Sequence, residues 1–181
     1  MAAGIKTDAR SQMIGDRRQK TENRAKNVSL SAEQSYQQAM NAAVRILTPR
    51  DHSAYELRCK LQQRGFTAKT CDAVIAQCED FGYIDDLRTA RVYILQLKRR
   101  CFGRRYVRLA LRKKRLMGAA IDKILAENYP GEDEYEYAGR LLEKKKKTFT
   151  SEADPKRRSD RIYRYLYSRG FSAAVIRNLV K

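Results

Sequence analysis

Apolar side chains recur at helical spacing along most of this chain, beginning near residue 31. Before that point single apolar residues sit among polar and charged ones with no sustained period. That pattern predicts a flexible basic tail over residues 1–30. Tyr36, Met40, Val44 and Leu47 recur as one helical face, so Ser31 to Leu47 is expected to be a helix with those residues toward the core. Thr48-Pro49 ends it, because the residue before a proline is pushed out of the helical region.

A second helix follows. Ser53 can cap its start, and Glu56 stands three residues later, the spacing of a reciprocal capping box. Leu57 and Leu61 form its apolar stripe. Gly65 falls where a left-handed C-cap is needed, a conformation glycine adopts without steric cost. Phe66 can fold back over the helix end. A third helix starts at Thr67 or Thr70 and carries Cys71, Val74, Ile75 and Cys78 on one face. Asp85 is a candidate cap for the helix after it.

Shifting the chain by 50 residues places Val44 on Ile94, Leu47 on Leu97, Leu57 on Val107, Leu61 on Leu111, Phe66 on Leu116, Cys71 on Ile121 and Ile75 on Leu125. Shifting by 105 places Leu57, Leu61, Gly65, Phe66, Cys71 and Val74 on Ile162, Leu166, Gly170, Phe171, Ile176 and Leu179. This is an internal repeat. It predicts an all-α fold of three tandem three-helix repeats, over 31–83, 84–130 and 131–181, in an elongated curved array. The third repeat has a longer, charge-dense crossing from Lys144 to Arg158. In the second repeat Arg115 takes the glycine position, so that joint must be built differently or tolerate a strained arginine.

Composition supports helix and adds a partner class. Leu, Ala, Arg, Lys and Glu dominate, with 3 Pro, 9 Gly and no Trp in 181 residues. Thirty-nine Lys and Arg against 21 Asp and Glu give a net charge of +18. Such a field attracts nucleic acid, an anionic membrane or an acidic protein surface. No run approaches the roughly 20 apolar residues that span a bilayer, and no apolar leader is visible near Met1. Four cysteines without C-x-x-C spacing, and a single histidine, argue against a zinc site. Cys71 and Cys78 read as buried free thiols, which suits a reducing cytoplasm.

Candidate chemistry is thin. His52 and Asp51 stand beside Ser53, but a triad needs a nucleophile in reach and an oxyanion site, and Ser53 is expected to cap a helix. Asp85-Asp86 can hold a metal or favour a helix N-terminus, and the second is preferred. No phosphate loop, G-x-S-x-G or H-E-x-x-H occurs. Catalytic, cofactor and metal residues are therefore expected to be absent. The basic stretch Lys98 to Arg115 is the stronger signal, with ten cations and no acid. Arg104, Arg108, Arg112 and Arg115 align on one helical face, a strip ~16 Å long at 1.5 Å per residue. Arg99, Arg100, Arg105 and Lys113 flank it. In the third repeat, Arg161, Tyr163 and Arg164 interleave cations with aromatics, which either stack on bases or flank a core.

The stretch "RDHSAYELRCKLQQRGF", Arg50 to Phe66, followed by "GYIDDLRTARVYI", Gly82 to Ile94, resembles the RecX family, bacterial regulators of the RecA recombinase. The resemblance runs from about residue 40 to 181. It rests on Arg50-Asp51-His52-Ser53, Glu56-Leu57, Lys60-Leu61 and Gly82-Tyr83-Ile84-Asp85-Asp86. A lysine-glycine usual at the second joint is here Lys114-Arg115, and a phenylalanine usual in the next helix is Thr89. The resemblance implies a non-enzymatic protein of tandem three-helix repeats that lies in the groove of the RecA–DNA filament, and the cysteine usage points to the cytoplasm. It further implies repression of ATP hydrolysis, strand exchange and repressor cleavage. The partners so implied are the RecA filament and single-stranded or duplex DNA within it, with no membrane and no small-molecule substrate. Arg99, Arg100, Arg104, Arg105, Arg108, Arg112, Lys113, Arg161, Tyr163 and Arg164 are the expected contacts. The alternative is a sequence-nonspecific nucleic-acid-binding helical protein that acts without RecA.

Overall fold

Local capping signals set the helix boundaries. The computed structural model describes residues 31–180, and the tail expected over 1–30 lies outside them. Helix α1 covers residues 31–47. The following helix, α2 (Ala54–Gln62), opens with the full capping box: the Ser53 side chain accepts from the Glu56 N–H, and the Glu56 side chain accepts from the Ser53 N–H. Thr67 caps α3 (Ala68–Asp80) and Asp85 caps α4 (Asp86–Arg99). Then come α5 (Arg104–Lys113), α6 (Ala119–Asn128) and α7 (Asp133–Lys144). After the short α8 (Lys146–Thr150), Asp154 caps α9 (Pro155–Ser168), and α10 (Ala173–Val180) ends the described chain. All regular structure among the described residues is helical.

Three apolar cores follow one another along the chain. The first gathers Ala39, Ala43 and Ile46 of α1, Leu57 and Leu61 of α2, and Cys71, Val74, Ile75 and Cys78 of α3. The second is built from Ala90, Ile94, Leu97, Val107, Leu111, Ile121, Ile124, Leu125 and Tyr129, and the third from Ala138, Leu141, Leu166, Phe171 and Ile176, joined by Cys101. Tyr137 packs against both the second and the third.

Two expectations need correction. Val44 is 45% exposed, not buried. Alanines at 39 and 43 let α1 approach closely through the stripe next to the one expected, and Val44 falls beyond its edge. The first helices of the first two repeats therefore align at a shift of 51: Ala39 on Ala90, Ala43 on Ile94, Ile46 on Leu97. The crossing from Lys144 to Arg158 also folds more than its charge suggested. It contains α8, and Phe149 is buried with its ring 5.5 Å from that of Tyr165.

The joints inside the repeats behave as glycine positions. Gly65 and Gly170 have φ of +88° and +86°, and Arg115 takes the same region at +58°. The backbone bonds agree, since Phe66, Leu116 and Phe171 donate to the carbonyls of Leu61, Leu111 and Leu166. The arginine tolerates a conformation that costs an L-residue roughly 1–2 kcal/mol, with its guanidinium 5.6 Å from the Tyr55 ring of the preceding repeat.

Candidate polyanion-binding face

The cores are held together by a joint that repeats. In each case the start of one core's middle helix meets the first helix and the middle-helix end of the next core. At the first joint the Ala54 N–H donates to Asp86 Oδ1 at 2.9 Å, and Ser53 Oγ donates to the Lys114 carbonyl at 2.9 Å. At the second, the Arg104 N–H donates to Glu134 Oε1 at 2.8 Å, and the Gly103 N–H donates to the Arg169 carbonyl at 2.9 Å. Free N–H groups at a helix start demand such acceptors. Asp86 and Glu134 supply them from the neighbouring repeat.

His52 lies at this joint, where its carbonyl accepts from Thr89 Oγ1 at 3.5 Å. It is 3% exposed, and its Nδ1 lies 2.9 Å from the Arg50 carbonyl, which places the proton on Nδ1. Burial lowers its pKa below 6.5, opposed by that hydrogen bond. The Ser53 hydroxyl is already engaged with Lys114 and with the Glu56 N–H. Asp85 caps Arg88. Burial raises the Asp86 pKa, a shift resisted by its bond from Ala54. Glu56 lies between two cations, 2.5 Å from Lys114 Nζ and 3.1 Å from Arg50 Nη2. Burial alone would push its carboxyl up, but Lys114, Arg50 and the Ser53 N–H together hold it at about 2. A cleft of about 340 Å³ opens beside this cluster, lined in part by Arg50, Asp51, Tyr93 and Lys114. No group of three or more potential metal ligands occurs among the described residues.

The ten cations of Lys98 to Arg115 have different partners. Lys98 pairs with Asp133 of α7, Lys114 with Glu56, and Arg108 with Asp122 at 3.8 Å. Arg104 is half-buried at the second joint, with its Nε enclosed, and so stands apart from the exposed strip. Arg100 lies 5.4 Å from the Phe102 ring. Arg99, Arg112 and Lys113 are exposed and make no ion pair or ring contact among the described residues.

Arg105 ties the two candidate stretches together. Its guanidinium lies 3.8 Å from the Tyr167 ring and donates to the Tyr167 carbonyl at 2.8 Å. Tyr167 in turn stacks on Tyr163, with centroids 6.0 Å apart and planes 12° apart. Arg161 and Arg164 are exposed on the same α9 helix, and Tyr163 is half-buried against the third core. The start of α5 and the end of α9 thus meet, and the Tyr163–Tyr167 stack lies beside the exposed Arg105 guanidinium. Such a surface suits phosphates and unstacked bases. The Arg105–Tyr167 contact and the Lys114–Glu56 pair were not foreseen from sequence. Their partners lie 62 and 58 residues away, although the repeat offered a way to relate the two joints.

Comparison with known proteins accords with this architecture. A family model described as the first three-helix domain of RecX matches residues 39–78, and one for the third three-helix domain matches residues 132–180. The regulatory protein RecX of Vibrio campbellii is 36% identical over 131 residues, spanning 72% of this chain and 82% of that protein. RecX of Haemophilus influenzae is 29% identical over 143 residues, spanning 78% and 92%. The crystal structure of RecX from Lactobacillus salivarius superposes with a TM-score of 0.70 at 20% identity, covering 82% of this chain and 96% of that one, a likeness of fold.

Proposed function

Because the chain belongs to the RecX family, we propose that it regulates the RecA recombinase by binding in the groove of the RecA–DNA filament. There it represses ATP hydrolysis, strand exchange and co-protease activity, and so regulates DNA repair. It does this by occupancy and not by chemistry, in the cytoplasm, with the three repeats 31–83, 84–130 and 131–181 as its units. The observation that supports this is the meeting of α5 and α9. Two cation-bearing stretches far apart in sequence share a surface at the second joint through Arg105 and Tyr167. A series of three cores lets one protein follow a helical groove over several subunits.

The contacts are assigned to Arg99, Arg105, Arg108, Arg112 and Lys113, with Arg161, Tyr163 and Arg164 beside them. Arg100 sits at their edge. Arg104 contributes through the joint. The test is RecA ATPase on single-stranded DNA, with and without this protein at fixed salt. The wild type should lower the rate. If it leaves the rate unchanged while binding the same DNA alone, the protein is instead a nonspecific nucleic-acid binder.

A further inference from the structure

The last turn of α3 carries charges that folding does not require. Glu79 and Asp80 close the helix at its negative dipole end, where carboxylates are unfavourable, and no basic residue occupies that turn. Both are exposed, and neither forms an ion pair among the described residues. Immediately after them Phe81 and Tyr83 stand 57% and 51% exposed, with ring centroids 5.6 Å apart.

The residues around these rings all have tasks in the fold. Gly82 supplies a φ of +68°, Ile84 is buried in the first core, Asp85 caps α4, and Asp86 holds the start of α2. The two rings have no comparable task. Their exposure leaves apolar area and two π-faces beside two free carboxylates, on a chain whose net charge is +18.

We propose that Glu79, Asp80, Phe81 and Tyr83 form a docking surface for a protein segment that carries lysine or arginine beside an apolar side chain. Carboxylates repel phosphates, so DNA does not fit this surface. A cationic segment gains ion pairs and cation–π contacts here, and its apolar side chain covers the rings. The inference rests on the filament reading and deepens it: the arginine face meets polyanion, and this patch meets protein.

The test compares wild type with two variants, Glu79→Lys/Asp80→Lys and Phe81→Ser/Tyr83→Ser. Binding is measured to RecA–single-stranded-DNA filaments and to the same DNA alone, at one salt concentration. Lysines suit a helix C-terminus, so the charge-reversed protein should match the wild type in helix content and melting temperature. Its affinity for naked DNA should hold or rise, while its affinity for the filament should fall about tenfold. The serine variant should lose filament affinity with its DNA affinity unchanged. On a surface that merely faces solvent, four added units of positive charge strengthen both interactions. A charge-reversed protein that binds filaments as tightly as the wild type therefore overturns the proposal. So does a patch that mediates only self-association, seen as a dimer lost in both variants with filament binding intact. If the wild type binds no filament at all, the RecA reading fails and takes this assignment with it. If the wild type binds and both variants bind equally, only the docking surface fails.

Discussion

Gly65 and Gly103 answer different demands. Gly65 needs a left-handed backbone, and a Cβ added there would meet nothing within 4 Å. Gly65→Ala should therefore cost only the conformational penalty, about 1 kcal/mol. Gly103 has an ordinary φ of −70°, but its Cβ would lie 2.3 Å from backbone atoms of Gly170 and Phe171. Gly103→Ala must push the second and third cores apart, at about 3 kcal/mol. Amide exchange should accelerate at Arg105, whose N–H donates to Gly170 at 3.2 Å, and stay unchanged in α2. The first demand was legible in sequence, because a left-handed cap is a local event. The second was not, because its cause lies 67 residues away. Leu61 shows a third case. It is fully buried, its place in the α2 stripe was plain from spacing, and Leu61→Ala should cost ~2–5 kcal/mol. Exchange protection should fall mainly in α1–α3; equal loss through α10 would show that the cores do not fold as separate units.

At the scale of elements, the first joint is a charged contact and responds to acid. The Glu56 pKa falls from 4.5 to about 2 on folding. A depressed carboxyl adds stability that is complete above its unfolded pKa and is lost as pH falls toward the folded one. Glu56 therefore weakens the joint between about pH 4.5 and 2. His52, lowered below 6.5, acts in the same direction from a higher pH. Asp86, raised by burial, acts in the opposite one. Comparing wild type with Glu56→Gln isolates the Glu56 contribution: the stability difference should be constant above about pH 5 and shrink below it. The α5 strip makes the complementary prediction. Changing Arg108, Arg112 and Lys113 to glutamate alters exposed side chains, so stability should shift by less than about 1 kcal/mol per site. Filament inhibition should weaken at least about tenfold, and the residual binding should depend less on salt. An unchanged inhibition curve would place the contact elsewhere. The periodicity located α5 and its cations. It could not separate Arg104 and Lys114 from their neighbours, because the acids that meet them, Glu134 and Glu56, belong to other repeats.

At the scale of the whole molecule, the order of cores was legible because the apolar stripes recur in the same order, about 50 and then 105 residues further along. The way the cores meet was not, since a repeat pattern reports each unit's interior and says little of its outer contacts. The two joints share one plan and differ in material. Both borrow a carboxylate from the next repeat, Asp86 or Glu134; the first adds the Glu56–Lys114 ion pair, and the second adds main chain packed closely on main chain at Gly103 and Gly170. That plan has a consequence during synthesis. The start of α2 finds its acceptor only when Asp86 has been made, and Ser53 donates to Lys114, 61 residues downstream. The start of α5 waits in the same way for Glu134 and then for Arg169. As the chain leaves the ribosome, each repeat can collapse around its own core but is finished by the next one. Maturation therefore runs from the amino end toward the carboxyl end, one repeat behind translation, and a chain stalled inside one repeat leaves the repeat before it with an open helix end.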